Sequence, residues 1–154
     1  MRRKPKSERS AAPGRPVIVA GAQFAVQPND PAANLERCRF FLERAAADVR
    51  ARLVVFPESI TTGFNPALAA PELFDLLPPT ARLLAPIQEI CRARRIHCVL
   101  PTYERGPRHG IVYHSAFLID ARGKNPGAHR KTHLFPPERL QHRRVCTVGI
   151  VVVE

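Results

Sequence analysis

Two charged residues stand where a buried group would need a partner. Glu58 follows directly on the apolar run Leu53-Val54-Val55-Phe56 and the rigid Pro57. A carboxylate held at the end of a buried strand is placed for burial and a raised pKa, the attributes of a general base. The plainer reading is a cap on the turn that follows. Lys131 lies in the stretch Ala128 to His133, which reads as a strand. An ammonium is costly to bury unpaired, so Lys131 calls for a carboxylate, and Glu58 and Glu138 are both available. His129 and His133 share the Lys131 face of such a strand, because side chains alternate. On a helix the two histidines would lie one turn apart, as metal ligands do. They lack the intervening Glu of a zinc-protease motif and a third ligand nearby, so no metal is expected.

A nucleophile is harder to find. Cys38 and Cys91 fall on apolar helix faces and Cys98 lies inside a strand, which makes all three core thiols. Cys146 opens an apolar run, and only Arg143 and Arg144 stand beside it to favour a thiolate. It is not assigned as a nucleophile.

The elements that must position these groups alternate strand and helix. Val17 to Phe24 is a short apolar run bounded by Pro16 and Gln27-Pro28-Asn29-Asp30, and reads as a buried strand. Asp30 before Pro31 is a helix cap with proline at the first helical position. Leu35, Cys38, Leu42, Ala45 and Val49 then recur at steps of three and four, giving one apolar helix face. Leu53 to Phe56 is a second strand, and a proline-punctuated loop runs from Glu58 to Pro79. Thr80 to Arg95 returns to helical spacing, with Pro86 pointing to a kink or a later start. Further strands are expected at His97 to Tyr103, Ile111 to Ile119, Ala128 to His133 and Val145 to Val153, with a hairpin turn at Asp120 to Gly123. A strand–helix–strand start predicts an α/β fold. In open α/β sheets, ligand chemistry collects at the carboxyl ends of strands, where Glu58 stands.

Composition narrows the function classes. With 154 residues, 45% of them hydrophobic and 24% charged, the chain has the length and texture of one globular domain. The longest apolar runs are strand-sized, too short to span a membrane. No apolar segment follows the basic start, so no secretory signal is read. Four irregularly spaced cysteines do not form a disulfide framework, and a cytoplasmic protein with reduced thiols is expected. Of the net charge of +11, residues 1–15 hold +5, from six basic residues against Glu8, and the remaining 139 residues hold +6. That leader is read as a disordered basic tail and residues 16–154 as the folded domain. Neither it nor the cluster Arg139, Arg143 and Arg144 has interleaved aromatics or finger spacing, which argues against a nucleic-acid partner.

Taken together, these motifs resemble the nitrilase (carbon–nitrogen hydrolase) superfamily. Val17 to Phe24, then Leu53-Val54-Val55-Phe56-Pro57-Glu58 and Gly63-Phe64, look like its opening. Tyr113 to Asp120, through Gly123 to His129-Arg130-Lys131-Thr132-His133-Leu134-Phe135, looks like its second signature. The resemblance implies a four-layer αββα sandwich, assembled as a homo-oligomer where the domain is complete, with no cofactor. It implies a small amide or carbamoyl substrate rather than a nitrile. Glu58 would be the general base, Lys131 would stabilise the tetrahedral intermediate, and Glu138 would be the second glutamate of the site. The family nucleophile is a cysteine at the end of a strand downstream of the lysine, and Val153 stands roughly there in this chain. The family motif usually has asparagine where His114 stands. The expectation is therefore a truncated αββα sandwich, its C-terminal half missing, with little or no activity alone. The alternatives are a catalytically inactive paralogue that binds a partner subunit and a basic nucleic-acid-binding protein.

Overall fold

The computed structural model describes residues 16–136. The leader, Glu138, Cys146 and the apolar run from Val145 to Val153 lie outside the described residues. The elements run β1 (Val19–Gly21), α1 (Pro31–Asp48), β2 (Leu53–Val55), α2 (Ala70–Leu76), α3 (Thr80–Arg94), β3 (His97–Arg105), β4 (Val112–Ile119) and β5 (Gly127–Arg130). The strands form one sheet in the order β1-β2-β3-β4-β5. The first three are mutually parallel, and β4 and β5 return antiparallel.

Register assigns the faces. Cys98 lies opposite Ile119, Leu100 opposite Phe117 and Thr102 opposite Ser115, so these share one face, and Val99, Leu118, Pro101, Ala116, Tyr103 and His114 share the other. The first face packs on α1 and α3. Cys38 and Leu42 from α1, and Leu84, Ile87, Ile90 and Cys91 from α3, meet Val54, Cys98, Leu100, Phe117 and Ile119 in the main core. At one end of the second face, Leu73 and Leu77 meet Tyr103 and Val112 in a smaller cluster, Leu73 coming from α2 and Leu77 from the residue that ends it. This is an α/β architecture, with a helical layer over one face of a five-stranded sheet. Among the described residues no helix is long and apolar enough to cross a membrane.

Five local readings change. Strand β1 takes only Val19–Gly21 of the expected buried run Val17 to Phe24, and Val17, Ile18 and Val19 are each more than half exposed. Helix α1 starts as expected, with the Asp30 carboxylate accepting from Ala33 N at 2.9 Å. Its buried residues are Asn34, Cys38 and Leu42, whereas Val49 ends the helix exposed. Helix α3 runs from Thr80 through Pro86 as one element. A proline in the middle of the helix removes one backbone bond, and burial of Leu83, Leu84, Ile87, Ile90 and Cys91 outweighs that loss. Helix α2 occupies part of the proline-rich stretch expected to be loop. Pro71 suits a first turn, and the Glu72 carboxylate reaches back to accept from Ala69 N at 3.1 Å. Strand β5 ends at Arg130 rather than at His133.

The turn from β4 towards β5 is closed by Asp120, whose Oδ1 accepts from the backbone of Arg122 and Lys124 at 2.9 and 2.8 Å. These bonds, that from Lys124 first, hold the Asp120 carboxyl below its ordinary range. Gly123 adopts φ +74°, and a Cβ there would stand 2.4 Å from the Gln88 carbonyl oxygen of α3. Gly123→Ala is expected to destabilise the chain by about 1–3 kcal/mol, through the left-handed backbone and the clash with a main-chain atom. Thermal melts of the two chains check this, and an unchanged midpoint would refute it.

Candidate functional site

Glu58 stands three residues beyond β2, on a loop that β3 holds in place. Phe56 N donates to Val99 O and Ile60 N to Pro101 O, both at 3.1 Å, so the chain continues alongside β3 after the strand ends. Ser59 takes φ +53°, and its carbonyl accepts from Thr62 N at 3.1 Å and Gly63 N at 2.8 Å. The residues after Glu58 are polar yet buried: Ser59, Thr61 and Thr62 are at most 1% exposed. Each is satisfied internally, as burial requires. Thr61 bonds Thr102 through the two hydroxyls. Asn34 of α1 donates to Thr61 O at 3.0 Å and to Gln27 O at 2.7 Å, and accepts from Gln27 N at 2.7 Å. One amide side chain thereby ties the loop after β1 to the loop carrying Glu58.

Lys131 follows the last residue of β5, and its N–H extends the ladder by donating to His114 O at 2.7 Å. Its Nζ lies 2.8 Å from Glu58 Oε1. The two residues, 73 apart in sequence, meet as an ion pair at a cleft of about 390 Å³. His129 and His133 line the same cleft with Lys131, as do Pro101, His114 and Ala116. Phe64 stands beside the pair, its ring centroid 6.0 Å from Lys131 Nζ and 6.2 Å from that of Phe135.

The expected burial of Glu58 is corrected. Its side chain is 55% exposed and that of Lys131 28%. Among the described residues no helix covers this part of the sheet face, so water reaches the carboxylate. In that setting the pair contributes at most about 1 kcal/mol to folding.

Behind the pair is His114, whose side chain is 4% exposed. Its Nδ1 lies 3.6 Å from Glu58 Oε1 and its Nε2 3.0 Å from Ser59 Oγ. The ring stacks on Tyr103, its cross-strand neighbour, at 4.6 Å and 29°. On the opposite face Arg130 makes a two-pronged bond to Glu104, both contacts at 3.0 Å, while Ser115 donates to the same carboxylate at 2.6 Å. The Arg130 guanidinium also lies 3.9 Å from the centre of the Tyr113 ring. The Glu104 bonds hold its pKa above the ordinary arginine value. Arg130 and Lys131 thus leave the chain on opposite sides, and the first anchors the backbone that presents the second.

The cysteines stand apart. Cys38, Cys91 and Cys98 are free thiols with no measurable exposure, in the core on the helical side of the sheet. Burial pushes the Cys38 thiol up to about 12. Cys98 is also pushed up, first by its hydrogen bond with Cys91 and then by burial.

Sequence reasoning brought Glu58 and Lys131 together and missed the groups that hold them. His114 and Glu104 carried a signal, as polar residues in apolar strands, and Asn34 and Ser59 carried none.

The sequence pattern of the carbon-nitrogen hydrolase family matches residues 18–149. A protein of Pseudomonas protegens, described as the hydrolase in the pqqF 5′ region, is 34% identical over 122 residues, which is 76% of this chain and 39% of the relative. The fold is similar to that of a carbon-nitrogen hydrolase from Helicobacter pylori, with a TM-score of 0.73 at 19% identity, over 88% of this chain and 45% of that one. It is also similar to an amidase mutant from Nesterenkonia sp. in complex with acrylamide, with a TM-score of 0.65 at 21% identity, over 87% of this chain and 49% of that one. The chain therefore spans less than half the length of each of these proteins.

Proposed function

Because the chain belongs to the carbon-nitrogen hydrolase family, we propose that Glu58 and Lys131 are the base and the oxyanion-stabilising cation of a site that hydrolyses small amides or carbamoyl compounds. The observation that carries this reading is the 2.8 Å contact between the two at the mouth of a cleft. An amide carbon is a poor electrophile, so the route runs through a cysteine thiol supplied from outside residues 16–136. Glu58 takes the thiol proton as sulfur attacks the carbonyl carbon. The Lys131 ammonium stabilises the oxyanion of the tetrahedral intermediate. On collapse the C–N bond breaks, Glu58 passes its proton to the departing ammonia, and a thioester remains. Glu58 next takes a proton from water, whose oxygen attacks the thioester, and the acid leaves as the thiol is restored. Glu138 is proposed as a second carboxylate beside the lysine.

A second reading, an inactive or partner-binding subunit, is favoured by the burial of all three described cysteines. Titrating the full chain with butyramide, followed by NMR, tests the site itself. Shift changes are expected at Glu58, His114 and Lys131, and these should be lost in Lys131→Met and Glu58→Gln. Perturbations that survive both substitutions would overturn the assignment of the cleft.

A further inference from the structure

Ser59, His114 and Glu58 stand in the order hydroxyl, imidazole, carboxylate, with Oγ to Nε2 at 3.0 Å and Nδ1 to Oε1 at 3.6 Å. That is the sequence of contacts in a serine nucleophile triad. Exposure decides against such a role. Ser59 has no measurable exposure, so its hydroxyl has no path to a substrate carbonyl. The carboxylate end is the accessible one, at 55% exposure. The chain of contacts therefore acts outward, from a fixed hydroxyl to a solvent-facing carboxylate.

We propose that His114 is a positioning residue for Glu58, a reading that rests on Glu58 being the base of the site. The ring is held on three sides. Tyr103 stacks on its face, Ser59 meets Nε2, and its backbone lies in β4, whose carbonyl at this residue accepts from Lys131 N at 2.7 Å. Ser59 is in turn locked by a left-handed backbone and by the two bonds to its carbonyl. When the ring is neutral, Ser59 O–H donates to Nε2 and the proton stays on Nδ1, facing Glu58. When the ring is protonated, Nε2–H donates to Ser59 Oγ and Nδ1 still carries a proton. In both states an N–H faces Oε1, the same oxygen that meets Lys131. A carboxylate on an exposed loop residue has three rotatable bonds to order, and ordering them before substrate binds removes that cost from the reaction. Among the described residues, Glu58 from the loop after β2 faces the ring, Lys131 from the end of β5 meets the same Glu58 oxygen, and the Tyr103 ring from β3 stacks on it.

The test uses the full chain labelled with 15N and 13C. At a pH where the ring is neutral, its 15N shifts are expected to report the Nδ1–H tautomer. Ser59→Ala, which removes the hydroxyl donor to Nε2, is expected to move the ring towards Nε2–H. The order parameter of the Glu58 γ-methylene should fall in His114→Leu and recover in His114→Asn, which restores an N–H. A wild-type ring in the Nε2–H form overturns the proposal even if His114→Leu fails to fold. Unchanged Glu58 order in a folded His114→Leu chain overturns it as well. Those readings are independent of turnover. If they hold while butyramide perturbs neither Glu58 nor Lys131 in the wild-type chain, the tie between His114 and Glu58 stands and the assignment of the cleft as the amide site falls.

Discussion

The full chain on its own is expected to release no ammonia from acetamide or butyramide above the uncatalysed rate. The reason is the nucleophile. At pH 7 a thiol with a pKa of about 12, as for Cys38, is ionised in only about one molecule in 10⁵. Cys91 and Cys98 are equally inaccessible, and the Cys98 side chain points to the face of the sheet opposite His114. The sheet itself separates these sulfurs from the cleft. Without thiolate attack, Glu58 and Lys131 can polarise a bound amide but cannot open the covalent route. Iodoacetamide labelling of the folded chain, read cysteine by cysteine in a mass spectrometer, should leave Cys38, Cys91 and Cys98 unmodified until denaturant is added. The contrary result is equally specific. Ammonia release that disappears in Cys146→Ala would make Cys146 the nucleophile and turn this chain into a working enzyme.

The meeting of Glu58 and Lys131 was legible because each breaks a local pattern. One is a carboxylate against the end of an apolar strand, the other an ammonium beside one, and both need a partner. Their exposure was not legible. Burial at a strand end depends on what covers the sheet, and strand periodicity cannot report a layer contributed by residues elsewhere. The same limit applies to the supporting groups. Glu104 meets Arg130 only because β3, β4 and β5 pair in one particular register, and that register is set by two turns rather than by either residue. Asn34 carried no sequence signal of burial, and it is buried because the carbonyls of Gln27 and Thr61 converge on it. Local signals did fix the Asp30 cap, the first strand–helix–strand unit and the Asp120 turn. Helix α2 escaped notice because seven residues among prolines give too short a periodic stretch to separate from loop.

The second face of the sheet leads to the other large effect. Strands β1 to β3 are parallel, and parallel sheets are normally covered on both sides. Here α1 and α3 lie over one side and α2 covers only one end of the other, leaving Val19 and Val55 there 55% and 37% exposed. Leu53, Val99, Pro101, Ala116 and Leu118 continue that apolar surface towards the cleft, and each is partly rather than fully buried. A contiguous apolar sheet face in water associates. Sedimentation velocity should therefore show self-association that grows with concentration between about 5 and 200 µM, the micromolar range in which such surfaces meet. Substitutions at neighbouring residues separate this surface from the core. Val55→Lys places a charge on the exposed face and should return the chain to monomer with an unchanged melting midpoint. Val54→Lys, one residue earlier, points into the core at 0% exposure and buries an unpaired ammonium. It should cost more than about 4 kcal/mol and abolish cooperative unfolding. A wild-type chain that is monomeric throughout that range, or a Val55→Lys chain that associates as strongly as wild type, would show that this face is not what draws copies together. The contrast matters for the site as well, because Pro101 and Ala116 belong both to this face and to the lining of the cleft. A layer covering Pro101 and Ala116 would also close over Glu58 and Lys131, removing the water that now screens their pair and strengthening the field each exerts on a bound carbonyl.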